Sequence, residues 1–415
     1  MRRIYLMLAM FLTFTIIFSG CQNNEVTDEE NEIDDTVTNS SYEEIVQASN
    51  NFGFQVLEEL AGDKDNLFIS PVSLYMALSM VYPSTIDETK AEMETLLQLE
   101  DAKLDEMKAA NAELFEKLQN SNSDEITLQI ANSLWLDDKF QLKEDYTETI
   151  EKDFHGEIST IDATSDASVE EMNKWVRNKT ENKLTEIIEA PLAEDFVAML
   201  FNVVYFNGKW QHPFDKANTE KDTFYGVNSA EKEVDFMHLR ADLDYIETDQ
   251  YKGVRLPYGD EGDMSMYALI PTDSHDISAI HGAFADKGMD VILEDAKEQK
   301  GVVTLPKFEL EYEQSLNDVL QNLGMKRAFD QNKAQLSEMI TGDDILHISE
   351  VKQMTYLDIN EAGTEAAAAT NVGIETTSAT IEEPFELTFD HPFVILIVDE
   401  ATDTVLFIGD IYDVS

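Results

Sequence analysis

The sequence predicts an α+β fold, on three observations. Apolar residues recur at helical spacing between Tyr42 and Leu118, apolar and polar residues alternate at period two in segments from Ile126 onward, and the chain ends in two apolar runs separated by a turn. Helices gathered ahead of strands describe that architecture. No repeat and no linker interrupts residues 42–415, which read as one large domain.

In chain order, Met1-Arg2-Arg3, the uncharged run Ile4–Phe18 and Ser19-Gly20-Cys21 read as a secretory signal over residues 1–20, marginal in length for a permanent bilayer span. Residues 21–41 are polar and acidic and read as a flexible tether. Tyr42, Ile45, Val46, Val56, Leu57 and Leu60 mark one face of a helix. Ser70-Pro71 places a cap and a first-turn proline ahead of an apolar helix through Tyr82. Leu104, Met107, Leu114, Phe115 and Leu118 mark another helix. Ile126, Leu128 and Ile130 alternate as in a strand, and so do Phe308, Leu310 and Tyr312 against Lys307, Glu309 and Glu311. Phe393–Val398 and Val405–Ile408 flank Asp399-Glu400-Ala401-Thr402-Asp403 as in a buried hairpin.

Composition narrows the function. Hydrophobic residues make up 43% of 415, enough for a substantial core. The 84 Asp+Glu against 29 Lys+Arg give a net charge of −55, which repels phosphate and sulfate polymers, so neither nucleic acid nor heparin is an expected partner. Salt at about 1 M shortens the Debye length to about 3 Å, so such a surface suits a saline medium. A single cysteine excludes an internal disulfide framework and a Cys-based zinc site. His155, His212, His238, His275, His281, His347 and His391 show no HExxH spacing, no GxSxG elbow occurs, and Gly259-Asp260-Glu261-Gly262 lacks the Lys-Ser/Thr of a phosphate cradle. An enzyme is therefore not expected, nor a cofactor or metal.

Residues 361–381 carry the strongest functional signal. From Thr364, one phase of period two holds Thr364, Ala366, Ala368, Thr370, Val372, Ile374 and Thr376, uncharged and in part β-branched. The other holds Glu365, Ala367, Ala369, Asn371, Gly373, Glu375 and Thr377, with both acids. That pattern suits a strand burying one face, about 45 Å long at roughly 3.3 Å per residue. Its Glu-Ala-rich start also admits a short helix or an exposed loop.

The stretch from Tyr42 to Ser415 resembles the serpins. Asn66-Leu-Phe-Ile-Ser-Pro-Val-Ser73 is similar to the family's helix B entry, and Asn173-Lys-Trp-Val with Asn178-Lys-Thr to its helix F region. Asn202-Val-Val-Tyr-Phe-Asn-Gly-Lys-Trp210 with His212-Pro-Phe214 resembles its strand 3A and breach. Glu361-Ala-Gly-Thr-Glu-Ala-Ala-Ala-Ala-Thr370 is close to the hinge of inhibitory members, and Phe389-Asp-His-Pro-Phe393 to the return strand. Ser19-Gly20-Cys21 resembles a bacterial lipoprotein signal with Cys21 as the acylated residue; an ordinary secretory signal is the alternative.

The resemblance implies three β-sheets, about nine α-helices and an exposed reactive-centre loop at about 361–383. It implies a monomeric suicide inhibitor of serine proteases, with cysteine proteases a secondary target; the N-terminal signal adds lipid anchoring to a bacterial membrane outside the cytoplasm, or secretion if Cys21 is not acylated. The cut loop then inserts as a central strand and stalls the acyl-enzyme. By the same resemblance the reactive bond is Thr377–Ser378, with Thr376–Thr377 as its alternative. The hinge is Glu361, Gly363, Thr364, Glu365, Ala366, Ala367, Ala368, Ala369 and Thr370, led by Gly363 and Thr364. Lys307 pairs Glu361 beside Trp210 at the breach, and Ser70, Ser73, Asn202 and Gln353 line the shutter, Gln353 standing where many members have histidine. An uncharged Thr at the cut suits an elastase- or subtilisin-like pocket, while Glu375 leaves a glutamyl-specific enzyme open. A noninhibitory binding or storage protein of the same fold is the alternative function.

Overall fold

The computed structural model describes residues 38–62, 64–99, 104–185, 188–227, 230–272, 276–289, 296–364 and 384–414. Eight α-helices lie among them: α1 (Thr38–Leu60), α2 (Pro71–Val81), α3 (Asp87–Leu96), α4 (Leu104–Asn120), α5 (Glu144–Asp153), α6 (Asp166–Lys179), α7 (Ser278–Lys287) and α8 (Asn317–Asn322). Helix α1 opens at Thr38, so the end of the stretch read as tether is helical. Once buried residues such as Ile45 and Val46 hold a helix, polar residues ahead of them extend it at little cost.

One sheet of nine strands runs β1 (Leu67–Ile69), β15 (Thr404–Ile411), β14 (Phe393–Asp399), β8 (Met264–Pro271), β7 (Tyr251–Tyr258), β6 (Glu231–Glu247), β9 (Lys297–Pro306) and β13 (Phe385–Thr388), with β5 (Glu220–Tyr225) paired to β6. The other, of six, runs β10 (Phe308–Ser315), β11 (Glu350–Asn360), β12 (Gly363–Thr364), β4 (Ala198–Lys209), β2 (Ile126–Asp137) and β3 (Glu157–Ile161). Three sheets were expected and two continuous ladders are found among the described residues. The reason is β6, which pairs with β5 and β9 along most of its length and with β7 only at Tyr245–Glu247, joining two strand groups into one ladder.

Helix α2 is buried along its whole length and touches β15, β4 and β2, so it is apolar all round rather than on one stripe. Pro71 takes the first-turn position, but the capping role expected of the Ser70 side chain is absent: its hydroxyl makes no cap bond and has no partner. On the opposite face of the six-stranded sheet, α6 lays Val169, Met172 and Val176 over Phe201, Val203, Met354 and Tyr356. Strand β4 is therefore covered on both sides, which is why it reads as a nearly continuous apolar run rather than an alternation.

Candidate functional site

The two central strands of the six-stranded sheet are parted at one end and closed below it. Strands β11 and β4 run parallel and pair directly from Glu350 opposite Met199 up to Tyr356 opposite Tyr205. Above that, β12 sits between them, antiparallel to both: Gly363 opposite Asn360 and Lys209, Thr364 opposite Ile359 and Gly208. The segment that follows β11 thus turns back and occupies the first two rungs of a strand position. Gly363 is required there, because a Cβ would lie 2.1 Å from the Gly208 carbonyl oxygen and 2.6 Å from Lys209 Cα. Thr364 is fully buried, and its hydroxyl bonds the Tyr258 phenol at 2.8 Å.

The turn into β12 is clamped by Trp210. Its backbone N–H donates to the Ala362 carbonyl at 3.0 Å, its indole N–H donates to the Asn360 carbonyl at 2.9 Å, and its ring stacks on Tyr258 at 4.4 Å. Phe214 N–H donates to the Glu361 carbonyl at 2.8 Å. The Glu361 carboxylate accepts from Lys307 Nζ at 3.0 Å and from the Thr219 hydroxyl at 3.0 Å. Burial pushes this carboxyl up, but the backbone, Lys307 and Thr219 hydrogen bonds outweigh it, holding the group below the ordinary glutamate value. A carboxyl with a depressed folded value stabilises the fold above its unfolded value and stops doing so as pH falls through the folded one. Glu361→Gln, which mimics the protonated acid, is thus expected to lower the urea midpoint at neutral pH and to converge on wild type toward acid. An equal loss at all pH values would show that charge is not what Glu361 supplies.

Further down the slot lies a clasp of neutral side chains. Gln353 and Asn202 face each other across β11 and β4, and Gln353 Nε2 donates to Asn202 Oδ1. The same Nε2 donates to the Ser70 carbonyl at 2.9 Å, while Gln353 Oε1 accepts from Ser70 N–H at 3.0 Å. Asn202 Nδ2 donates to Ser73 Oγ and to Asn132 Oδ1. Both amides are fully buried with every donor used, so α2, β2, β4 and β11 are tied at one point.

The expected site residues therefore form two groups: Glu361, Gly363, Thr364, Lys307 and Trp210 at the head of the slot, and Ser73, Asn202, Gln353 and the backbone of Ser70 at the clasp. Glu365, Ala366, Ala367, Ala368, Ala369, Thr370, Thr377, Ser378 and Cys21 lie outside the described residues, as do the signal and most of the tether. Sequence reasoning missed Asn132, Tyr258 and Thr219. Asn132 left a signal, since it continues the buried phase of Ile126, Leu128 and Ile130 and an amide there needs a partner. Tyr258 and Thr219 left none, because their partners are 106 and 142 residues away.

Two parallel strands that pair directly along one stretch and part at one end to seat the first two residues of a long connection define the site. A family model described as Serpin (serine protease inhibitor) matches residues 47–414. A serpin-like protein of Methanosarcina mazei is 31% identical over 411 residues, covering 95% of each chain. Intracellular coagulation inhibitor 1 of Tachypleus tridentatus is 32% identical over 374 residues, 88% of each chain. The crystal structure of the thermophilic serpin tengpin in its native state matches with a TM-score of 0.81 at 29% identity, over 89% of this chain and 94% of that one. The chain belongs to the serpin family.

Proposed function

We propose that this chain inhibits a serine protease by offering residues 365–383 as bait and trapping the acyl-enzyme. The observation that carries the reading is the seating of Gly363 and Thr364 between β11 and β4 while the rungs below are closed by direct pairing. A strand continuing downward from Thr364 would replace one parallel ladder by two antiparallel ones, the more stable pairing per residue. Because Thr364 faces the core, Ala366, Ala368, Thr370, Val372 and Ile374 share its phase and would be buried, while Glu365 and Glu375 would take the opposite phase. The phase without charge is the one the slot takes in.

In that sequence of events the protease serine attacks the carbonyl of Thr377, the amine of Ser378 leaves, and an ester joins Thr377 to the enzyme. Severed from Ser378, the segment continues β12 and carries the enzyme with it. Deacylation stalls when the enzyme's oxyanion site is deformed. A small uncharged Thr suits an elastase- or subtilisin-like pocket, with cysteine proteases as a secondary class. The printed name of the Tachypleus relative, an inhibitor, supports the same direction. The N-terminal sequence alone supports an acylated Cys21 holding the inhibitor at the outer face of a bacterial membrane.

The test is incubation of the full chain with an elastase-like serine protease. An SDS-resistant adduct is expected, with mass spectrometry placing the cut at Thr377–Ser378. Clean cleavage with no adduct would overturn inhibition and leave a binding or storage protein of the same fold.

A further inference from the structure

The nine-stranded sheet holds a buried acid that the slot does not use. Asp410 lies in β15 between Leu67 of β1 and Val394 of β14 and has no solvent exposure. Its Oδ1 is 2.8 Å from Nε2 of His281 on α7, a side chain that is 13% exposed. Its Oδ2 is buried without a hydrogen-bond partner. A carboxylate oxygen shut away from water is costly while the group is ionised, and far less so while a proton is held between acid and imidazole.

The helix at the other end of this bond is thinly attached. Of the ten residues of α7, Ile280 and Phe284 are buried, and Phe284 stacks on Phe54 of α1 at 4.9 Å. Two grooves, of about 1010 and about 390 Å³, open between α1 and α7 and share Asn51, Phe54, Phe284 and Ala285; His281 lines the smaller. With so little buried, α7 can tilt away from β15 while the sheet stays whole. Around the pair stand Glu58 of α1, Asp276 ahead of α7 with Lys64 acting on it, Tyr312 of β10 and Tyr412 just after β15. Hydrogen bonds from Ser278 hold the Asp276 carboxyl below its ordinary value, and burial together with the Asp410 charge holds both phenols above theirs. None of these three changes charge near neutrality.

We propose that His281 and Asp410 form a proton-operated latch on α7: with the proton held between them the helix lies closed on β15, and its loss lifts the helix so that water reaches Asp410 and the grooves beside α1 widen. Burial pushes the Asp410 carboxyl up, and the hydrogen bond and charge of His281 offset this only in part. A carboxyl with a raised closed-state value favours the closed form below its open-state value, and that preference is lost as pH rises through the closed one. The closed helix therefore weakens as pH rises. Glu361 behaves in the opposite sense, because there the ionised carboxylate is the paired form. The latch belongs to the nine-stranded sheet and the slot to the six-stranded one, so α7 opens in a chain that has never been cut.

Hydrogen exchange of the full chain tests the latch, read by mass spectrometry from about pH 4 to about pH 8 with exchange times scaled to the intrinsic rate at each pH. Amide protection in α7 is expected to fall by up to about tenfold per pH unit above about pH 4 and then to level off, while protection in β14 stays constant. Asp410→Asn, which keeps the size and has no proton to release, is expected to make protection in α7 independent of pH. His281→Leu removes the groups that hold Asp410 down, so the fall is expected to continue to higher pH before it levels. Protection in α7 that is flat in wild type, or that falls in Asp410→Asn as it does in wild type, would overturn the latch. So would a levelling point that His281→Leu leaves unmoved, and this variant decides the matter if Asp410→Asn does not fold. Equal falls in α7 and β14 would also overturn it, because the whole fold rather than the helix would then be responding.

Discussion

Thr364→Arg is expected to turn the protein from an inhibitor into a substrate: cleavage proceeds, and the SDS-resistant adduct disappears. Thr364 is fully buried between β11 and β4, with its hydroxyl on Tyr258, and it is the residue from which any further insertion must grow. Seating a guanidinium there removes a charge from water with a neutral phenol as its nearest polar neighbour, a cost of several kcal/mol. Inserted and hydrolysed outcomes compete from one acyl-enzyme, and a barrier raised by about 3 kcal/mol slows insertion about a hundredfold. The nicked variant should also melt no higher than the intact one. Because Thr364 already lies in the sheet of the uncut chain, Ala368→Pro serves as a companion: it leaves the described head of the slot untouched and removes one ladder donor further along. Persistence of the adduct in both variants would show that insertion through this slot is not the inhibitory step.

Gln353→Ala is expected to destabilise the intact form by about 3–5 kcal/mol and the nicked form by less. Removing the amide leaves Ser70 N–H and Asn202 Oδ1 without the bonds they have now, and the Ser70 carbonyl with Leu74 N–H alone, in a region with no solvent exposure, at about 1–3 kcal/mol per unpaired buried group. The asymmetry between forms comes from register. Thr370, six residues beyond Thr364, falls opposite both Gln353 and Asn202, six residues back from Ile359 and Gly208. An inserted strand therefore separates these two amides and puts a hydroxyl-bearing residue of the core-facing phase between them. The Gln353–Asn202 bond is lost on insertion in any case, so its removal by mutation weighs mainly on the uncut state. Chemical denaturation of intact and nicked protein measures this directly, and equal losses in the two forms would show that the clasp does not guard the slot.

The clasp also shows where sequence reading reaches its limit. Asn202 in the middle of an apolar strand announces a buried amide that needs partners, and the uncharged phase starting at Thr364 announces a strand that can bury one face. Neither pattern states who the partner is. Ser70 illustrates the gap: its position before Pro71 suggests a capping hydroxyl, whereas the fold uses its backbone N–H and carbonyl to hold Gln353 and leaves the hydroxyl bare. Tyr258 gave no sign of its bond to Thr364 for the same reason, since 106 residues of chain separate them.

What the amino-acid sequence by itself determined was local: helices and strands from the apolar period, the charge and cysteine content that exclude whole classes of partner, and the small uncharged phase of the hinge. Only the tertiary structure decided which strands stand side by side, that Gly363 and Thr364 are already seated between β11 and β4, and that Gln353 and Asn202 clasp the rungs below. Period-two alternation specifies a face because side chains alternate strictly along a strand, but backbone hydrogen bonds are the same at every rung. Register and neighbour are therefore chosen by the packing of residues far apart in the chain, which one strand's own pattern does not contain.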